Sequence, residues 1–211
     1  MTTMLPPLPD AAAWPGPDQQ AVRRVGLWVL IGVVSMLFFL FGAAFVMRMA
    51  ASDWLPLPVV PWQLWCSTTL LFVAGVAWQR ASWAASLGLK RAAELAVAVA
   101  AGTSVLFLGA QLWAWRVLTG LDVTVAGNPA NSFFYLITGL HGLHVMGGLI
   151  AAALAARPLI VDGSAGRTVQ ASGAIALCAR YWHFLLVLWL AMFAMLFLVT
   201  PAVVQAICGS P

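Results

Sequence analysis

The sequence predicts an all-α fold, a polytopic bundle of five transmembrane helices, and three observations predict it. Hydrophobic residues make up 63% of the chain and charged ones only 8%, where a soluble domain carries roughly a quarter charged residues. The apolar residues gather into runs close to the roughly 20 that a helix needs to cross about 30 Å of hydrocarbon, and the mean hydropathy is +0.97. The 10 Lys and Arg residues stand singly or in pairs at the ends of those runs. The net charge of +4 therefore marks topology and not a nucleic-acid partner.

Residues 1–22, rich in Pro, Ala and Asp, are expected to form a disordered cytoplasmic tail. They lack the basic start and cleavage pattern of a signal peptide, so the first apolar run is expected to remain in the mature protein. A single transmembrane domain, 23–206, follows. Its first span, 25–47, lies between Arg23–Arg24 and Arg48. A loop with Pro56, Pro58, Pro61 and Asp53 leads to the second span, 61–79, which stops at Arg80. Lys90 and Arg91 precede the third, 93–115, and Arg116 closes it. The Gly, Asn and Pro residues before Ser132 read as a turn; the fourth span, 132–156, then ends at Arg157 and Pro158. Val161 to Gly173 reads as a loop, and the last span covers 181–204.

Counting cations by loop sets the orientation. Arg23, Arg24, Arg80, Lys90, Arg91, Arg157, Arg167 and Arg180 fall on one side, Arg48 and Arg116 on the other. The positive-inside rule then places the N-terminus in the cytoplasm and the C-terminus outside. Trp54, Trp62 and Trp65 at one edge and Trp78 and Trp83 at the other read as aromatic belts. Cys66, Cys178 and Cys208 lie in separate segments with no CxxC spacing and read as unpaired thiols.

Ionisable groups inside a bilayer are costly, which makes them the candidates for function. Glu94 lies within a turn of the start of the third span, where pairing with Lys90 or Arg91 in headgroup water is its plainer role. His141 and His144, three residues apart, are expected on nearly one face of the fourth helix. Two imidazoles are an incomplete zinc or copper site, and one helix face cannot supply both axial ligands of a haem. His183 is the remaining histidine, and His144 sits roughly 17 Å of helix farther from the boundary, too far to share a haem with it. Hydrogen bonding between helices is the favoured role for the histidines, with proton handling the alternative. Gly139, Gly142, Gly147 and Gly148 permit close helix approach, and Gln111 reads as a polar tie between helices.

Four segments carry a family resemblance. FFYLITGLHGLHVMGG, residues 133–148, resembles the penultimate helix of haem-copper oxidase subunit III, whose hallmark is a Thr-Gly-x-His-Gly-x-His-Val run. Thr138, Gly139, His141, Gly142, His144 and Val145 match it. RYWHFLLVLWL, residues 180–190, is similar to that family's last helix through Tyr181, Trp182, His183, Phe184 and Trp189. Gly26, Trp28 and Arg48 resemble its Gly-x-Trp helix, and FLGAQLWAW, residues 107–115, its Phe-Leu-x-x-Gln helix.

The resemblance implies the short five-helix bacterial form, in the bacterial inner membrane: a non-catalytic accessory subunit of a terminal oxidase in aerobic respiration. It implies packing against catalytic subunit I, which holds the haem and copper, reduces oxygen to water and pumps protons. It also implies no redox cofactor in this chain, contact with membrane lipid and bound phospholipid. The family's three acidic positions fall on Val34, Ala114 and Leu186 here, so no proton-handling carboxylate carries over. An accessory subunit of a nitric oxide reductase is the second reading. A small transporter is the third, although it calls for intramembrane charges or broken helices.

Overall fold

The computed structural model describes residues 18–49, 51, 54–55, 61–161, 165–200 and 203–204. Within them the chain forms five helices: α1 (Gln19–Arg48), α2 (Gln63–Ser86), α3 (Lys90–Gly120), α4 (Pro129–Val161) and α5 (Ala165–Leu198). Four of these, α1, α3, α4 and α5, are long and apolar enough to cross a membrane. Helix α2 has the length, with 24 residues, but not the hydropathy. Its hydroxyls and alanines explain both that lower hydropathy and its deep burial. Leu64, Ser67, Leu71, Ala74, Trp78, Ala81 and Ala85 recur at helical spacing and are all enclosed, while the small side chains let α3 and α5 approach closely.

The helices run up and down. Helices α2 and α3 form a hairpin closed at Gly88, whose φ of 70° is the left-handed conformation that glycine adopts without strain. The Leu89 N–H reaches the Ala84 carbonyl at 2.9 Å and the Gly88 N–H that of Ala85 at 3.1 Å, as in a Schellman cap. The α3–α4 turn is fastened by side chains. Tyr135 donates to the Val123 carbonyl at 2.8 Å, Ser132 to that of Val125 at 2.6 Å, and Asn128 Oδ1 accepts the Ala130 N–H at 2.7 Å. Helix α5 packs against α2, α4 and α1; α1 sits at the flank, held by α4 and α5.

Several expected boundaries move outward. Helix α2 continues through Gln79 and Arg80 to Ser86, and α3 runs past Arg116 to Gly120. Helix α4 carries Pro158 within its last turn and continues to Val161. The stretch expected as a loop, 161–173, is helical from Ala165 onward, and α5 ends at Leu198 instead of 204. Charge and proline end an apolar segment but not the helix. Arg and Lys are good helix formers, and a proline near a C-terminus gives up one hydrogen bond. Asp18 caps α1 by accepting the Gln20 N–H at 3.0 Å, so residues 19–22 belong to the helix and not the tail. Residues 1–17 of the expected tail lie outside the described residues, as does Cys208. Cys66 and Cys178 are free thiols.

Candidate functional site

One device recurs through the centre of the bundle. A helical Ser or Thr donates its own proton to a carbonyl one turn back and offers its lone pair to an N–H from a neighbouring helix. Trp182 Nε1 donates to Ser104 Oγ at 2.9 Å, and Ser104 donates to the Ala100 carbonyl at 2.7 Å. Trp189 Nε1 donates to Thr68 Oγ1 at 2.8 Å, and Thr68 to the Leu64 carbonyl at 2.8 Å. Gln111 Nε2 donates to Ser67 Oγ at 2.8 Å, and Ser67 also to the Leu64 carbonyl. Trp115 Nε1 donates to Thr138 Oγ1 at 3.2 Å, and Thr138 to the Phe134 carbonyl at 2.6 Å. Together these bonds tie α5 to α2 and α3, α3 to α2, and α3 to α4. Interhelical bonds of this kind average about 0.6 kcal/mol in membranes; they fix register more than they add stability.

Of the expected residues, Gln111, Thr138, Trp182 and Trp189 thus join one set of interhelical ties. Ser67, Thr68, Ser104 and Trp115 were not singled out from the sequence. Nothing in the sequence marked the hydroxyls, because a helical Ser or Thr satisfies its own proton on a carbonyl one turn back. Trp78, expected at an interface, is instead fully buried, with its ring 4.9 Å from that of Trp182. Trp62, Trp65 and Trp83 are exposed.

The histidines do not act as a group. His141 is 0% exposed, between the Phe107 ring at 5.6 Å and the Trp189 ring at 5.2 Å. Neither of its ring nitrogens has a hydrogen-bond partner. His144 turns toward α1, edge-on to Phe38 at 5.6 Å, and its Nδ1 pairs with the Leu140 carbonyl at 2.7 Å. His183 is exposed on α5, and its Nδ1 pairs with the Ala179 carbonyl at 2.6 Å. The expectation of hydrogen bonds between helices is corrected: His144 and His183 bond within their own helices, because a carbonyl one turn back is the nearest acceptor to Nδ1. The expectation of a common face is corrected too, since a separation of three residues turns the two rings into different interfaces. Among the described residues, no group of three or more His, Cys, Asp and Glu converges.

Gly148 is where the two family-like segments meet. A Cβ there would lie 2.7 Å from Tyr181 Cε1 and 3.2 Å from Trp182 Cη2. Both rings are held, because the Tyr181 hydroxyl donates to the His144 carbonyl at 3.2 Å and Trp182 to Ser104. Gly148→Ala is therefore expected to destabilise the bundle by about 1–3 kcal/mol. Gly147→Ala, with nothing within 4 Å of its Cβ, is the matched control. Thermal unfolding in detergent checks this; equal midpoints for the two variants would remove the close-packing account. Gly139 is also tight, 3.3 Å from Trp115 Cη2, while Gly142 meets Leu108 at an ordinary 3.6 Å.

Beside this core, α1, α4 and α5 enclose an apolar cleft of about 690 Å³ with His144, Tyr181 and Trp182 in its wall and Arg23 among its lining. Glu94 forms an ion pair with Lys90 at 3.4 Å, both side chains about one-third exposed. Val34 and Ala114 are buried and Leu186 is half-buried, so two of the family's acidic positions are enclosed, apolar sites here.

A comparison with protein families matches residues 19–200 to cytochrome c oxidase subunit III. Among curated relatives, a probable cytochrome c oxidase subunit 3 of Mycobacterium tuberculosis is 33% identical over 93 residues, 44% of each chain. Cytochrome c oxidase subunit 3 of Thermostichus vulcanus is 31% identical over 110 residues, 48% of each chain. That of Pylaiella littoralis is 29% identical over 180 residues, 81% of this chain and 64% of the relative. The matched stretch spans less than half the length of the mycobacterial relative.

Proposed function

Because the chain belongs to the cytochrome c oxidase subunit III family, we propose that it is the non-catalytic accessory subunit of a haem-copper terminal oxidase. The observation that carries this is the extent of the family match, which runs from the start of α1 beyond the end of α5. Four polar ties across the core support it, Gln111 to Ser67, Trp115 to Thr138, Trp182 to Ser104 and Trp189 to Thr68, because they hold helices in register. In this reading the haem and copper belong to a catalytic partner subunit, where oxygen is reduced and protons are pumped. All five helices cross the bacterial inner membrane, α2 included, with the N-terminus cytoplasmic. Helix α2 crosses in spite of its lower hydropathy because α3 and α5 take up the hydroxyls of Ser67 and Thr68 in the middle of its run. The cleft beside His144 accommodates the bound phospholipid that the family resemblance implies.

The subunit acts by packing. A rigid bundle with α5 at its centre shields the flank of its catalytic partner from water and lipid disorder during turnover. Purification in mild detergent through an N-terminal tag should bring down a large haem-bearing chain with a reduced-minus-oxidised haem spectrum and oxygen consumption. Oxidase lacking this chain should start at a comparable rate, retain its haem and lose activity sooner during sustained turnover. A colourless chain that purifies alone from aerated cells would overturn the reading.

A further inference from the structure

Helices α2 and α5 keep polar side chains on a face that the rest of the described chain leaves open. On α5, Arg180, His183, Val187 and Leu190 recur at spacings of three and four, and all are exposed. On α2, Thr69, Phe72, Val76, Gln79 and Trp83 recur in the same way and are exposed too. The two stripes adjoin. Trp65, one turn before Thr69, meets Phe193 of α5 with ring centres 5.0 Å apart, and Trp78 meets Trp182 at 4.9 Å. Gln79 and His183 each follow one residue later, where their helices turn outward from that contact.

The polar end of this face lies deep. Trp182 donates to Ser104, which stands about midway between Lys90 and Arg116 on α3. That is roughly 20 Å of helix from either cation at 1.5 Å per residue. In a bundle that spans the membrane, His183 is therefore close to mid-depth, and not near the edge as its place in the sequence suggests. Helices α3 and α5 run the same way, so Arg180 sits about one turn nearer the end that carries Lys90.

Hydrocarbon is a poor neighbour for these groups. A long side chain near a helix end extends its charge to the headgroups, but an imidazole at mid-depth has no such reach. The His183 Nδ1 pairs with the Ala179 carbonyl at 2.6 Å, and a carbonyl only accepts, so this nitrogen bears the proton. Nε2 is then the polar atom presented to a neighbour. The Gln79 amide offers a donor and an acceptor at the same level, and Arg180 a fork of donors. Helices α1, α2 and α5, which form this flank, contain no Asp or Glu. The charge complement must come from another chain.

We propose that the α2–α5 face is the docking surface for a transmembrane helix of another oxidase subunit. That helix presents an Asp or Glu carboxylate to Arg180 and a polar side chain to His183 and Gln79. The proposal rests on the accessory-subunit reading and adds to it which face is covered and by what chemistry. A forked Arg–carboxylate pair sets the register of the two helices, while Val187, Leu190, Phe72 and Val76 supply the apolar packing around it. Contact with protein in place of lipid also accounts for Gln79 and Arg80 on α2, the one helix whose hydropathy falls short of a membrane span.

The test uses the full chain, purified in mild detergent with the chains that accompany it. A photoreactive benzophenone side chain at Val187 is expected to cross-link one other subunit, through a transmembrane peptide that holds an Asp or Glu. The same group at Leu106, exposed on α3, should not reach that peptide. Arg180→Glu should lower the recovery of that subunit at least several-fold, and replacing the cross-linked carboxylate with arginine should restore it. His183→Leu should lower recovery too. A lipid-facing histidine would give the reverse, because leucine is the better side chain in hydrocarbon. Cross-links from Val187 to lipid alone or to a second copy of this chain would overturn the proposal. So would recovery indifferent to Arg180→Glu and His183→Leu, or a charge swap without rescue. If the Arg180→Glu chain is not produced, His183→Leu and the Val187 cross-link decide. A parent chain that purifies alone overturns the accessory-subunit reading itself.

Discussion

Trp182→Ala is expected to destabilise the bundle by about 3–5 kcal/mol, the range for removing a large aromatic side chain from a close-packed interior. Trp182 is 0% exposed, stacks near Trp78, packs on the Cα of Gly148 and donates to Ser104 on α3. Three helices therefore meet at this indole, and truncation opens a space that rigid neighbours cannot collapse into. Trp182→Phe keeps most of the volume and loses the N–H donor, so about 1 kcal/mol is expected. Ser104 still has its own acceptor in the Ala100 carbonyl, which keeps that loss small. Thermal unfolding of the purified complex separates the two variants. If alanine and phenylalanine proved equally harmful, the hydrogen bond and not the packing would dominate. If both melted like the parent, α5 would not be the centre on which the other helices pack.

His141→Glu is expected to cost about 3–5 kcal/mol, the scale measured when a buried charge is left without its partner. His141→Leu should fall within about 1 kcal/mol of the parent. The imidazole is enclosed by Phe107 and Trp189, with neither nitrogen paired, so an apolar side chain of similar size removes little. A carboxylate meets no cation there, and the family's acidic positions nearest in sequence logic, Val34 and Ala114, are buried and apolar. Melting temperature and yield of assembled complex read the difference. A stable His141→Leu complex that consumes oxygen at the parent rate agrees with a packing histidine. A stable complex that has lost its activity would instead assign His141 to proton handling.

Much of the site was visible in the sequence, yet the roles of its residues were not. Gln111 stood out as a polar group within an apolar run, and Thr138, Trp182 and Trp189 through the family resemblance; all four tie helices together. Their acceptors were invisible because a Ser or Thr in a helix always has a carbonyl in reach, so the sequence shows no unmet need that names a second partner. Trp78 looked like a belt tryptophan because it lies close to the polar end of its run. Its burial depends on α5 and α3 closing over that face of α2, which is a matter of how helices are arranged.

The sequence by itself determined that this is an all-helical chain, where its apolar segments lie and, through the runs around His141 and Trp182, which family it resembles. Those properties follow from composition, period and short motifs, which are local. Only the tertiary structure decided that His141 and His144 face different helices, that Gly148 is closed by Tyr181 and Trp182, and that Trp182 reaches Ser104 on α3. Each of these depends on which faces of five mostly apolar helices come together. Where nearly every face is hydrophobic, the pattern of polarity no longer says which one is inside, and steric fit and a few hydrogen bonds choose instead.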